Sequence, residues 1–481
     1  MTTQPPPSLA PPITPELLRE LAQRAARPDF PKLEAQLRSS GYCARPVRLR
    51  GRIETCDRDG RRQVWSTDTE PDGVLRKACG NRRQAVCPPC AERYRGDAYQ
   101  LVSAGLRGGK GIPDTVAGHP TVFVTLTAPS FGIVHTRRLG PDGRPRCCRP
   151  RRDAPVCAHG ARLSCAAVHA EDDPRLGEPL CCDCFDHAGA VIWNNALGEL
   201  WRRTTIYLPR ALARLTGMTH KQARELVRVS YVKVAEYQRR GLVHLHAVIR
   251  LDRAMPAYRA GEVKPPPARF GVELLVDAMR ATVDAVDAPL PDALGGGAIT
   301  WGDKLDIRPI ADGQARGEIA GYLAKYATKS TELAGGVLHP VTEPEVDALP
   351  VSDHVRAYLR AAFVLAGDVP LRDRRFGRYA HALGYRGHCL TKSRRYSTTF
   401  RALRQAREAH VHEQLLARST SAAQRALADA VERSASFRYA GLGHLTAADA
   451  FLAASAAARA RGHRRLAREA RAIEIKPGGE R

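Results

Sequence analysis

No run in this 481-residue chain approaches the ~18 uninterrupted apolar residues that a membrane-spanning helix needs. Its first residues, MTTQPPPSLAPPITPELL, lack both a basic segment and an apolar segment, so they do not read as a secretory signal. A cytoplasmic protein without a membrane partner is expected. Thiols stay reduced there, so clustered cysteines point to metal rather than disulfides. Acidic residues are few: 50 Asp and Glu stand against 75 Lys and Arg, a formal net charge of +25. That surplus calls for a polyanionic partner, nucleic acid before anionic membrane. No repeat period is visible, which excludes solenoid architectures. What is present suffices for real cores, since 43% of residues are hydrophobic, and the length calls for two or three domains.

Residues 1–15 are Pro-rich and read as disordered, and 16–40 as helical. The run TVFVTLT (Thr121–Thr127) is β-branched and stopped by Pro129, so it reads as a strand. Helical patterns cover 190–228, 273–286 and 314–331, a strand is expected over 298–310, and the chain beyond about 351 reads as helical.

Two β-rich runs flank Arg239-Arg240-Gly241 between Val229 and Asp252. A three-residue loop with Gly in third place fits a type I turn followed by a left-handed residue. Closing the hairpin there pairs Gln238 with Leu242 and sets Glu236 opposite His244. His244 and His246 are two apart, so both imidazoles share one face of the strand. Two imidazoles and a carboxylate with open positions suit Mn²⁺ or Mg²⁺ holding a phosphate substrate.

Residues 322–329 read Tyr-x-x-Lys-Tyr-x-x-Lys. Tyr322 and Tyr326 share a helix face, and Lys325 and Lys329 each follow a tyrosine by three residues. A lysine beside a phenol stabilises phenolate or neutralises charge on a reacting phosphate, and tyrosine serves as a covalent nucleophile when activated.

Twelve of the 13 cysteines fall between Cys43 and Cys184. Cys87-Pro-Pro-Cys90 has the spacing of a zinc knuckle. With Cys56 and Cys79 it makes a first Zn²⁺ set, in which Cys43 competes for one place. Cys165, His169, Cys181 and Cys184 make a second, and Cys147, Cys148, Cys157 and His159 either build another site or replace members of this one. Further on, Leu371–Arg407 carries 11 Lys or Arg and one Asp, interleaved with aromatic rings. That mixture suits DNA, with Arg386, Lys392, Arg394, Arg395 and Tyr396 as the contacts.

The order of these motifs resembles one family. A strand motif (TVFVTLTAPSFG), then Glu-x7-His-hydrophobe-His, then the tyrosine helix is similar to the HUH endonucleases that initiate rolling-circle replication. The wider text resembles the initiators of actinobacterial rolling-circle plasmids and integrative conjugative elements. RGLVHLHAVIRLD, GYLAKYATKSTE, GYRGHCLTKSRRYSTTFRALRQAR and LCCDCFDHAGAVIWNNALGELWRRT carry that likeness over roughly residues 43–410. The resemblance implies a divalent ion on His244, His246 and Glu236. It also implies tyrosine attack on single-stranded origin DNA, leaving a 5′-phosphotyrosine and a free 3′-OH. Which tyrosine attacks first stays open. An HUH transposase and a non-catalytic, zinc-stabilised DNA-binding regulator are the alternatives. No GxxxxGK[ST] run is present, so unwinding falls to a host helicase and synthesis to a host polymerase.

The expected fold is α+β. A central antiparallel sheet carries the His pair on a middle strand, with helices packed on one face and the tyrosine helix crossing the metal site. The expected divisions are an N-terminal segment (1–42), a zinc-ribbon-like region (43–118), an endonuclease domain (119–340) with a zinc-binding insertion at 140–190, and a basic helical region (341–481).

Overall fold

The computed structural model describes residues 13–56, 60, 62–153, 155–255, 262–310, 313–418 and 432–474. Residues 1–12 of the Pro-rich start lie outside that set. The elements in chain order are α1 (Pro15–Ala25), α2 (Phe30–Ser39), β1 (Val47–Cys56), β2 (Arg62–Ser66), β3 (Leu75–Lys77), α3 (Pro88–Arg107), β4 (Thr121–Leu126), β5 (Arg138–Leu139), β6 (Pro145–Arg146), α4 (His187–Leu215) and α5 (His220–Leu226). There follow β7 (Val227–Tyr237), β8 (Val243–Arg253), α6 (Val272–Ala285), β9 (Asp287–Pro289), β10 (Ala298–Thr300), β11 (Asp306–Pro309), α7 (Gly313–Tyr326), α8 (Asp353–Gly367), β12 (Leu390–Lys392), α9 (Phe400–Arg418), β13 (Glu432–Leu442) and α10 (Ala447–Glu474). The fold is α+β with antiparallel sheets, as expected.

Several boundaries differ for local reasons. The expected 16–40 helix is two helices, because Pro28 interrupts the run. The 190–228 pattern breaks at Gly217, which takes a left-handed φ of 66°. A Thr219–Gln222 capping box then restarts it as α5, and Val227 already belongs to β7. The 298–310 strand is two short ones, β10 and β11. The chain beyond 351 is not helical throughout: β12 and β13 interrupt it.

The chain divides into two compact units, one formed by the residues up to Arg95 together with those from Arg401 on, the other by Gly96–Phe400. In the second unit a five-stranded sheet runs in the order β11-β4-β8-β7-β12, so β8 with its histidines is the central strand. Val243, Leu245, Ala247 and Ile249 of β8 face a single apolar core shared with Trp193 and Leu197 of α4 and Leu275 of α6. The opposite face is covered as well, by the tyrosine helix expected there and by α3, which was not expected. Arg250, on the histidine side of β8, is fully buried and donates to the Gly105 carbonyl of α3. α7 packs against β7 on the same side, where Tyr322 meets Glu236. α3 has no counterpart among the expected helices, because its first turn lies in the Cys-Pro-Pro-Cys motif itself.

In the first unit the sheet order is β13-β1-β2, with β3 also paired to β1. Leu33 and Leu37 of α2 pack with Ala453 of α10. Asp449 of α10 receives two buried guanidinium groups, Arg24 at 2.9 Å and Arg76 at 3.1 Å. Desolvated charges of this kind are tolerable only because each is paired and hydrogen-bonded.

Candidate active site and metal centres

The β7–β8 hairpin builds the centre of the site. Gln238 N–H donates to the Leu242 carbonyl at 2.8 Å, and Gly241 holds φ 82°. A side chain at Gly241 would also meet the Tyr358 ring, its Cβ falling 2.6 Å from Cε2. This closure sets Glu236 directly across from His244, the register that the Arg-Arg-Gly loop implied. Asn194 of α4, fully buried, braces the turn. It donates to the carbonyls of Gly241 (2.9 Å) and Leu383 (2.8 Å) and accepts from Val243 N–H (3.1 Å).

On the face that carries the histidines, the Glu236 carboxylate lies 2.5 Å from His246 Nε2. Thr125, the cross-strand neighbour of His246 on β4, lies 3.1 Å from its Nδ1. This contact fixes the ring so that Nε2 points at the carboxylate. Phe123 lies parallel to the His246 ring with centroids 5.9 Å apart. The Tyr322 hydroxyl donates to Glu236 Oε2 at 3.3 Å and sits 3.4 Å from His246 Nε2. Tyr326 is one turn further on, its ring 4.7 Å from that of Tyr322, and the Lys325 ammonium lies 5.3 Å over the Tyr326 ring.

The electrostatics follow from burial. His244 is pushed down to about 3, first by burial and then by positive charge at His246, Arg240 and Lys304, so its imidazole is neutral near pH 7. Tyr326 is pushed up to about 12 by burial and by the Glu236 carboxylate, and Tyr322 is raised by the same two causes. Both phenols are therefore held protonated.

His244 Nε2 is buried and has no hydrogen-bond partner. A neutral imidazole with an orphaned nitrogen, beside a second imidazole and a carboxylate, fits a divalent cation. His244 stands apart from the other two donors, with its ring centroid 6.3 Å from that of His246. Three tighter clusters of metal-ligating side chains lie elsewhere among the described residues.

The first is Cys43, Cys79, Cys87 and Cys90. Its sulfurs are 3.6–3.7 Å apart along Cys43–Cys87, Cys43–Cys90 and Cys79–Cys90. A tetrahedron with metal–sulfur bonds of about 2.3 Å has edges of about 3.8 Å, whereas a disulfide would need about 2.05 Å. Cys43 takes the place expected for Cys56, which lies on β1 and is not in the cluster. The second expected set is also corrected, because it mixes halves of two sites. His135, Cys148, Cys165 and His169 form one cluster, and Cys157, His159, Cys181 and Cys184 the other. His135 was missed, since nothing around it in the sequence marks a ligand. In the first of these two, His169 Nδ1 lies 2.7 Å from the Asp173 carboxylate, a partner that orients a ligating imidazole. None of the thirteen cysteines forms a disulfide. These clusters have the composition and geometry to hold zinc.

The basic segment is less accessible than its charge suggested. Arg386 and Arg394 are exposed, but Lys392 is half-buried and donates to backbone carbonyls. Arg395 is half-buried, and its guanidinium reaches the Met255 carbonyl. Tyr396 is fully buried, with its hydroxyl on the Val102 carbonyl, and Phe376 and Tyr385 are core residues too. Tyr396 is thus not a stacking contact for DNA. Its ring fills the space over Gly105 of α3.

No described helix is long and apolar enough to cross a membrane. No solved structure matches the chain. A replication initiator protein of Streptomyces ambofaciens is 40% identical over 472 residues, covering 95% of this chain and 96% of the relative. The family described as RepSA, replication initiator protein of pSAM2, matches residues 29–458. With the match spanning both the cysteine-rich region and the histidine–tyrosine site, the chain belongs to the pSAM2-type replication initiator protein family.

Proposed function

We propose that this initiator nicks single-stranded origin DNA in the rolling-circle manner, with tyrosine as the nucleophile. The observation that carries the reading is the convergence of the Tyr322 hydroxyl on Glu236 and His246 within 3.4 Å, on one face of the central sheet. His244, His246 and Glu236 hold the catalytic Mn²⁺ or Mg²⁺. Such a cation supplies positive charge that polarises the scissile phosphate and offsets the burial that keeps the phenols protonated.

The chain's own residues do the rest. Thr125 and Phe123 fix the His246 ring, and the hairpin turn fixes Glu236. Tyr322, the tyrosine whose hydroxyl touches the ligand set, attacks first. Its oxygen bonds to phosphorus as the phosphorus–O3′ bond breaks; the phenolic proton passes to Glu236, the group it already faces, and the departing O3′ takes a proton from water. The products are a 5′-phosphotyrosine and a 3′-OH that primes synthesis. Tyr326, one turn away, is placed for the second transfer that rejoins the strand. Lys325 and Lys329 offset phosphate charge beside the phenols, and Arg386 and Arg394 steer the strand. Zn²⁺ occupies the three cysteine–histidine clusters as structural metal, and a host helicase and polymerase act on the nicked origin.

The test is cleavage read on a denaturing gel. Single-stranded DNA tiled from the region flanking the gene, labelled at its 5′ end and blocked at its own 3′ end, is incubated with protein and Mn²⁺. A shortened labelled strand whose new 3′ end is extended by terminal transferase, formed with Mn²⁺ and not when EDTA is present during cleavage, supports the reading. DNA binding without any such strand moves the protein to the non-catalytic regulator.

A further inference from the structure

The first unit carries an arginine face that the nicking chemistry does not use. On β1, Arg50 and Arg52 alternate with Gly51 and so point to one side of the sheet. Across the strand, Arg50 pairs with Arg438 of β13 and Arg52 with Ser436. Arg50, Arg52 and Arg438 are all exposed. Arg50 and Arg438 are like charges directly opposite each other, an arrangement that costs stability unless an anion lies between them. Neither has an ion-pair partner among the described residues. Arg52 pairs with Glu54 at 2.9 Å, but both groups are exposed, so the pair is weak and exchangeable.

By register, Leu49, Ile53, Trp65 and Phe437 belong to the alternate set of side chains, and the Trp65 and Phe437 ring centroids are 6.4 Å apart. Being exposed, the three arginines are dispensable for the core. They line a hollow of about 600 Å³ together with the hydroxyl-bearing Ser66, Thr67 and Ser436, the Phe437 side chain and one carboxylate, Asp68.

We infer that this β1–β13 face binds duplex DNA through its phosphates, as the anchoring site of the initiator. The inference rests on the origin-acting reading above. Duplex is favoured over single strand by the balance of charge and rings. Single-strand platforms interleave several aromatic rings with the charges, whereas this hollow sets three arginines beside one ring, Phe437, which already meets Trp65. The paired strands also run for ten residues, about 30 Å, close to one turn of B-DNA, and a two-stranded ribbon is a known shape for groove docking.

The experiment compares full-length wild type with the triple variant Arg50→Ala, Arg52→Ala, Arg438→Ala. Fluorescence anisotropy measures binding to short duplexes tiled from the region flanking the gene, across a salt series. Nicking of the matching single strands is measured in parallel. The triple variant should bind duplex at least about tenfold more weakly near physiological salt, and its log K against log salt slope should be shallower by about 2.7, three phosphates at about 0.9 each. Its single-strand nicking should match wild type. Arg438→Glu alone, at an exposed position, should also weaken duplex binding, with zinc content and melting temperature unchanged. Equal affinity and equal slope in wild type and both variants would overturn the assignment. Loss of duplex binding with a wild type that never nicks would leave the anchoring face standing and remove the nuclease reading.

Discussion

The Tyr322 hydroxyl donates to Glu236 at 3.3 Å, joining a helix and a strand that are 86 residues apart in the chain. The same carboxylate faces His246. One acidic group therefore addresses both the proposed nucleophile and the histidine pair. Tyr326 sits one turn behind, its ring further from His246 (6.1 Å between centroids) than that of Tyr322 (5.1 Å).

From this asymmetry, Tyr322→Phe should lower first-strand nicking by at least about 100-fold, the scale on which removal of a nucleophile acts. Tyr326→Phe should nick but fail to rejoin. Gel analysis of cleavage and strand transfer on a single-stranded substrate separates the two. Equal nicking by Tyr322→Phe and wild type would reassign the nucleophile.

Zinc content distinguishes the expected cysteine sets from the observed ones. Wild type should carry three zinc ions per chain, one for each cluster. Cys43→Ser should remove one, while Cys56→Ser and Cys182→Ser should remove none. Metal analysis of the purified variants reads this directly. Cys165→Ser should also slow nicking, since the loop it belongs to meets the β7–β8 turn: Arg239 donates to the carbonyls of Asp173 (3.2 Å) and Glu171 (2.7 Å). Full nicking with one zinc missing would break that link.

Asn194 is the brace behind the turn. Asn194→Ala removes three hydrogen bonds and leaves the Val243 N–H buried without a partner. The expected cost is about 3 kcal/mol of stability, at roughly 1 kcal/mol per bond. Urea unfolding monitored by circular dichroism measures it, and a loss well under 1 kcal/mol would contradict the role.

Acid sensitivity should come from buried imidazoles away from the metal site. His354 is pushed down to about 4, by burial first and then by positive charge at His187, whose ring nitrogen lies 2.9 Å away. The unfolded chain binds this proton near pH 6.5, and the folded chain only near 4. Stability contributed by the neutral form is thus complete above about pH 6.5 and is lost progressively as pH falls toward 4. The whole effect is roughly 3 kcal/mol. His354→Asn should flatten the fall of melting temperature between pH 7 and about 4.5. An unchanged slope would show that His354 does not carry it.

Much of the site was legible locally. A three-residue loop ending in glycine dictates the register of two strands, and strand alternation then aligns His244 with His246. Helical spacing does the same for Tyr322 and Tyr326. What was hidden depends on distant chain. Phe123 and Thr125 join the site only because β4 pairs with β8. The asparagine pair in WNN signals a polar group inside an apolar helix, but not that Asn194 reaches the turn. Cys43 displaced Cys56, and His135 entered a cluster, because loop closure rather than spacing selects ligands. β13 pairs with β1 across nearly the whole chain, from Val47 to Leu442, and no local pattern announces such a partner.

The most direct measurement is the chemistry of the covalent product. The protein is incubated with Mn²⁺ and single-stranded DNA tiled from the region flanking its gene, then denatured and digested with protease and nuclease. Mass spectrometry reads any peptide that retains a nucleotide. The nicking account predicts a nucleotide 5′-phosphate on Tyr322, formed only with the divalent ion and absent from Tyr322→Phe. No tyrosine-linked nucleotide on any tile, with DNA binding intact, would contradict it.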